Sequence, residues 1–188
     1  MTGPDQVLIA ILAAGASRRM GRPKQLIRRD GRTLLAHAIE AARGSGIGPV
    51  AVVEGACPLA GEIPNRDVRL LSNVEWQQGM AGSIRVAVGA AGNAAALLLM
   101  LCDQPNVTAE LLRHLYEGWK SGRGIAACTY AGTVGAPAIF DRRFFPKLLE
   151  LRGDQGAKSI ILAHRLQTVF IAAEAAGADV DEEDDLHP

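Results

Sequence analysis

The feature that most constrains this chain is an unbroken apolar run, Ala95 to Leu101, that ends abruptly in Cys102-Asp103-Gln104-Pro105. The wider stretch, Ala94 to Cys102, is too short to span a bilayer. A run that is apolar at every position, with no alternation, suits a strand covered on both faces. Val7 to Leu12 has the same character and is followed by small residues. Two such strands require helices above and below them. The sequence supplies these: Leu34, Leu35, Ala38, Ile39 and Ala42 fall on one helical face within Thr33 to Ala42.

The rest of the chain keeps this rhythm. Strands are expected at Val50 to Val53, Val68 to Leu71, Ile125 to Tyr130, Ala136 to Phe140 and Gln167 to Ala172. Helices are expected at Met80 to Ala91, after a Thr108 N-cap with Leu111, Leu112, Leu115 and Trp119 inward, at Phe144 to Leu151 and at Gln155 to His164. Alternating strands and helices predict an α/β fold with a mostly parallel sheet. With 188 residues and no repeat, linker or break in composition, one domain is expected over residues 1–188, its core about 7–186. Aromatics are 4%, so the core must be built from Ala, Leu, Val and Ile.

Charge and cysteine content narrow the function classes. Twenty basic residues balance twenty acidic ones, which argues against a nucleic acid partner. Cys57, Cys102 and Cys128 are odd in number and widely spaced, with no CxxC pair. That excludes a zinc knuckle or disulfide scaffold and fits a reducing cytosol. The opening MTGPDQ is no basic leader before an apolar stretch, so a cytoplasmic protein with no membrane partner is expected. His37, His114, His164 and His187 show no metal-ligand spacing, and no nucleophile motif stands out.

In open α/β sheets, ligands bind beyond the carboxyl ends of the strands. The segments after Leu12 and after Leu101 therefore carry the expected chemistry. After Leu12 the chain reads Ala13-Ala14-Gly15-Ala16-Ser17-Arg18-Arg19-Met20-Gly21-Arg22-Pro23-Lys24. Small residues let a ligand approach the backbone, and Arg18, Arg19 and Lys24 bring three positive charges to it. That combination suits a triphosphate, though the same residues also suit a solvated basic loop. Neither the GxGxxG dinucleotide fingerprint nor the GxxxxGK[ST] phosphate loop is present. Asp103, at the end of the most apolar strand, suits Mg2+, which takes one or two carboxylates plus phosphate oxygens. An Asx-turn or N-cap acid is the other reading.

The segment LAAGASRRMGRPKQL, residues 12–26, resembles the signature loop LAAGxSxRMGxPKxL of the MobA-like NTP transferase family. LLLMLCDQP resembles that family's LLCDQP strand end, and residues 73–84 match its NxxWxxGMxxSI pattern. The resemblance implies a three-layer Rossmann-like nucleotidyltransferase fold with a mostly parallel mixed sheet. It implies that Leu12, Ala13, Ala14, Gly15, Ser17, Arg19, Lys24, Asn73, Gly79 and Ser83 bind the nucleotide. Lys24, Arg19 and Asp103 would be catalytic, and Trp76 structural. Gly79 and Met80 enter a helix whose N-terminus is a ready anion or base site.

Asp103 would hold the metal with a second carboxylate from near the C-terminus. The family pattern DIDTPEDL stands here as residues 179–186, DVDEEDDL, which makes Asp181 the first choice and Asp179 the second. An acidic helix start is the alternative for both. Residues 133–140 resemble the family's GHPxxF strand, with Ala136 where His often stands, and residues 151–158 its LxGDxGAR segment. These imply an acceptor site at Gly135, Pro137, Gly153 and Asp154; Asp154 also reads as a helix N-cap and Gly156 as a close-packing residue.

The LAAG start and PKQL end are similar to the MocA-type branch, which uses CTP, rather than to the LAGG and DKG of the guanylyltransferases. The implied partners are CTP or another NTP, a molybdopterin-type acceptor, and a molybdenum hydroxylase apoenzyme. A relative using GTP or another acceptor, or a non-catalytic cofactor-delivery chaperone, are the rival expectations. An oxidoreductase finds no dinucleotide fingerprint.

Overall fold

Residues 6–17, 21–63, 67–122 and 124–177 are described by the computed structural model. β1 (Val7–Leu12) is buried at all six positions. It pairs in parallel with β4 (Val50–Glu54) on one side and with β6 (Ala96–Leu101) on the other. β5 (Val68–Ser72) adds a parallel strand beyond β4. On the other flank β8 (Thr133–Asp141) runs antiparallel to both β6 and β7 (Ile125–Tyr130), and β9 (Thr168–Ala172) is parallel to β7. The sheet order is β5-β4-β1-β6-β8-β7-β9. This is the mostly parallel mixed sheet of a Rossmann-like fold, and β8 is its reversed strand.

Helices cover both faces, which explains why the central strands carry no polar alternation. α1 (Leu34–Ser45) and α3 (Ala109–Lys120) pack with Val7, Ile9, Ile11, Leu98 and Met100 in one core. α2 (Met80–Ala91), α4 (Phe145–Glu150) and α5 (Lys158–Ala163) pack with Leu8, Ala10, Leu12, Leu97 and Leu99 in the other. Adjacent residues of β1 and β6 thus enter opposite cores. Burying a Leu or Ile side chain is worth about 1.5–3 kcal/mol, so Leu98→Ala, at a site with no exposure, costs about 2–5 kcal/mol. Thr33 and Thr108 cap α1 and α3, each side-chain oxygen accepting from the N–H three residues on. Gly46, in the left-handed region, ends α1.

Two departures from the sequence reading have local causes. A short hairpin, β2 (Arg28–Arg29) and β3 (Arg32–Thr33), precedes α1. Its two-residue strands are too short to show a pattern, and Asp30-Gly31 turns it with φ of 51° and 78°. The helix expected from Gln155 begins at Lys158, because Ala157 takes the N-cap position. Asp154 is therefore not the cap. The helix expected at Phe144 to Leu151 is found as α4, and an Arg142–Phe144 3-10 turn leads into it. No helix among the described residues is long and apolar enough to cross a membrane.

Candidate active site

The chain leaves β1 toward β4 and β5, then returns to β6 on the other side of β1. The loops after β1 and β6 therefore diverge and open a crevice at the carboxyl edge of the sheet. A cleft of about 490 Å³ lies there. The loop after β1 supplies one wall with Leu12, Ala13, Ala14, Gly15, Ser17 and Lys24. The end of β6 supplies Cys102 and Asp103, and the far wall carries Trp76, Gly79, Met80, Ser83 and Asp154.

Across this cleft Lys24 Nζ stands 3.5 Å from Asp103 Oδ2, the two side chains 14% and 24% exposed. The two loops are also tied through the main chain, where Cys102 N–H donates to the Leu12 carbonyl at 3.3 Å. A second tie comes from the hairpin: an Arg29 guanidinium N–H donates to Asn106 Oδ1 at 3.2 Å. The first loop closes on itself through the Lys24 N–H, which donates to Ser17 Oγ at 2.9 Å. Ser17 sits at φ 50°, a left-handed conformation that turns the chain there. A Cβ built on Gly15 would meet nothing within 4 Å, so this residue faces open space.

Other expected site residues stand behind the lining or outside it. Asn73, 2% exposed, does not line the cleft; its Nδ2 donates to Ser83 Oγ at 3.0 Å, and Ser83 does. Gly79 has φ 96°, and a Cβ there would collide with the Gly153 carbonyl group and the Asp154 carboxylate. Gly153 accepts from Ala81 N–H at 3.0 Å, so the first turn of α2 is already engaged by a protein carbonyl. The anion site expected at this helix start is to that extent filled. Gly156 packs against Met80, where a Cβ would lie 3.1 Å from the sulfur. Gly135 and Pro137, at the start of β8, line no part of the cleft; a Cβ on Gly135 would strike the Tyr130 hydroxyl. Arg19, Asp179 and Asp181 lie outside the described residues.

Sequence reasoning passed over Gln25 and underrated Trp76. Gln25 is 2% exposed and its Nε2 donates to the carbonyls of Ala13 and Gly15. The signal was present as a polar residue between Lys24 and Leu26, but nothing local separates a buried Gln from a solvated one. Trp76, read as a core aromatic, packs on the core and also lines the cleft.

Two hydrogen bonds converge on one carbonyl of β8, beyond the cleft lining. The Ala136 carbonyl accepts from the Tyr130 hydroxyl at 2.9 Å and from Gln104 Nε2 at 3.3 Å. A Cβ on Gly177 would lie 2.6 Å from the Tyr130 ring, so the segment after β9 packs on the same side chain. Burial, and then the Asp103 carboxylate, push the Cys102 thiol far up, while burial pushes Cys128 up to about 12. Neither is a thiolate near neutral pH.

Among the described residues the cleft holds the Lys24 ammonium, the carboxylates of Asp103 and Asp154 and a small-residue loop, a set that can bind and neutralise a polyphosphate in company with a cation. Among the described residues no three His, Cys, Asp or Glu cluster to form a metal cage. The Asp103 carboxylate is of a kind that suits Mg2+, an ion that takes one or two carboxylates and completes its sphere with water and substrate oxygens.

The chain is similar to several known proteins in sequence and fold. Residues 9–169 match the MobA-like NTP transferase domain. The chain is 30% identical to the nicotine blue oxidoreductase of Paenarthrobacter nicotinovorans, over 91% of this chain and 90% of that one. It is 30% identical to a probable molybdenum cofactor guanylyltransferase of Opitutus terrae, over 70% of this chain and 64% of that one. The crystal structure of Rv0371c from Mycobacterium tuberculosis H37Rv superposes with a TM-score of 0.84 at 31% identity, covering 97% and 96% of the two chains. Rv0371c in complex with manganese superposes at 0.74, with 30% identity over 96% and 95%.

Proposed function

The chain belongs to the MobA-like NTP transferase family, and from that premise we propose that it transfers CMP from CTP to the phosphate of a molybdopterin-type acceptor. The products would be molybdopterin cytosine dinucleotide and pyrophosphate, made by one cytoplasmic domain and passed to a molybdenum hydroxylase apoenzyme. The observation that carries the reading is Lys24 facing Asp103 at 3.5 Å across a cleft walled by the small-residue loop.

The chemistry follows from charge. The triphosphate would lie along the loop after β1, against Lys24, with Leu12, Ala13, Ala14, Gly15, Ser17, Gly79 and Ser83 around the nucleotide, and Arg19 would add a second cation. Asn73 acts through Ser83. An acceptor phosphate oxygen attacks the α-phosphorus, the bond to the bridging oxygen breaks, and pyrophosphate leaves with the electron pair. The attacking oxygen is already ionised, so no strong base is needed and catalysis is positioning and neutralisation. Asp103, with Asp181 or Asp179, would hold Mg2+, which when bound would supply charge neutralisation to the triphosphate. Gly135, Pro137, Gly153 and Asp154 would form the acceptor side.

CTP is favoured by the LAAG and PKQL spellings of the loop. The name of the Opitutus relative favours GTP instead, and that of the Paenarthrobacter relative an oxidoreductase. Thermal shift with CTP, GTP, ATP and UTP plus Mg2+ separates the bases. A nucleotide at about 100 times its Kd adds about 2.7 kcal/mol of stability. Pyrophosphate release with CTP and molybdopterin is the expected activity. Reduced nicotinamide consumption without pyrophosphate release would overturn the proposal.

A further inference from the structure

The carbonyls of residues 12–15 are all held by protein donors, in two different ways. Leu12 and Ala14 accept from main-chain N–H groups, of Cys102 at 3.3 Å and Ala56 at 3.1 Å. Ala13 and Gly15 depend on one side chain, the Nε2 of Gln25, at 2.6 and 2.8 Å. The N–H groups of Gly15, Ala16 and Ser17 meet no main-chain acceptor among the described residues. These residues line the cleft. The loop thus commits its carbonyls to the protein and leaves its N–H groups for a ligand.

Gln25 itself gains little from the arrangement. Its Oε1 is buried and meets no donor among the described residues. The reversed amide would set that oxygen against two carbonyl oxygens, so the two loop carbonyls dictate the orientation. A buried acceptor left without a partner is unfavourable, and here it accompanies two good hydrogen bonds to the loop. Without Gln25, the Ala13 and Gly15 carbonyls have no donor, and their peptides are free to rotate oxygen toward the cleft. An oxygen-lined loop repels phosphate; an N–H-lined loop attracts it.

We propose that Gln25 is a positioning residue that holds the Ala13 and Gly15 carbonyls inward and so leaves the N–H groups of Gly15, Ala16 and Ser17 toward the substrate triphosphate. Lys24 and Gln25 then act as neighbours with separate tasks. The first clamps Ser17 through its N–H and points its amine at Asp103. The second fixes the main chain of the opposite arm. The assignment rests on the nucleotidyltransferase reading and adds to it the residue that shapes the phosphate-binding main chain.

The test uses Gln25→Met, of similar length with no donor, and Gln25→Glu, of the same shape with no amide N–H. The probes are inorganic tripolyphosphate, Mg-CTP and Mn2+ alone. Tripolyphosphate and CTP affinity should fall by about tenfold or more, the scale of one net hydrogen bond. Mn2+ binding, which reads Asp103, should stay unchanged in both variants, whereas a general folding defect would lower all three. Folded variants that bind tripolyphosphate as tightly as the parent overturn the role of Gln25. A parent protein that binds neither tripolyphosphate nor any NTP overturns the nucleotidyltransferase reading as well. If the variants do not fold, amide NMR of the parent decides. The N–H resonances of Gly15, Ala16 and Ser17 should shift on adding tripolyphosphate, and unmoved resonances overturn the proposal.

Discussion

Replacing Lys24 by Met keeps the aliphatic stem and removes the ammonium 3.5 Å from Asp103. At an effective dielectric of about 20, opposite charges at that distance attract by about 5 kcal/mol. Desolvation of both groups offsets most of this, so the net loss for a partly sheltered pair is about 1–2 kcal/mol. A chain of 188 residues unfolds with an entropy near 0.4 kcal/mol/K, so the melting midpoint should fall by about 3–5 °C. Turnover should fall much further. A cation aimed at the phosphorus and the leaving pyrophosphate is worth about 10²-fold or more, roughly 2.7 kcal/mol of barrier. The assay is pyrophosphate release at saturating CTP and Mg2+ at 25 °C, with a circular dichroism melt of the same sample. A folded Lys24→Met protein with parental turnover refutes the reasoning. So does an activity loss that merely tracks the unfolded fraction.

Gly79→Ala forces a side chain into φ 96° against Gly153 and Asp154; a loss of about 2–4 kcal/mol and a midpoint about 5–10 °C lower are expected, and an unchanged melt would count against the tight packing of that loop. Chelation should abolish pyrophosphate release and added Mg2+ restore it; full activity in a protein shown free of metal would remove Asp103 from its assigned role. Cys57, half-exposed, should react with a thiol reagent at pH 8 before buried Cys102 and Cys128, which should label on unfolding. The folded thiols of Cys102 and Cys128 hold their protons above the unfolded value of about 8.5. Their contribution is thus complete below that pH and declines as pH rises toward about 12. Melting midpoints from pH 7 to 11 should fall; a rising midpoint would contradict the burial of both groups.

Much of this fold was readable because burial on two faces leaves a strong mark. β1 and β6 were visible as uniform apolar runs, and α2 was recovered from Met80 to Ala91. Long elements with one covered face announce themselves through period; two-residue strands such as Arg28–Arg29 do not. The site was legible to a similar degree. Lys24 and Asp103 were singled out from loops 79 residues apart in the chain, and the fold brings them together. Gln25 was not recognised, because its partners are main-chain carbonyls, which carry no letter in a sequence. Gly135 and Pro137 were placed at the site through resemblance alone, yet the described cleft does not reach them.

The reversal of β8 has an architectural outcome. Because that strand runs against its neighbours, the Tyr130-to-Thr133 turn opens at the same edge as the ends of β1 and β6. One bank of this edge comes from the first hundred or so residues, the other from the strands and helices after α3. Hydrogen bonds from Gln104 to Ala136 and from Ala81 to Gly153 join the two banks, so the later one can be rewritten wherever these ties are kept. On the proposed reading, lengthening or rewriting the later bank would alter which second molecule is admitted, while the earlier bank, with its cation and its inward-turned carbonyls, would keep its hold on the triphosphate.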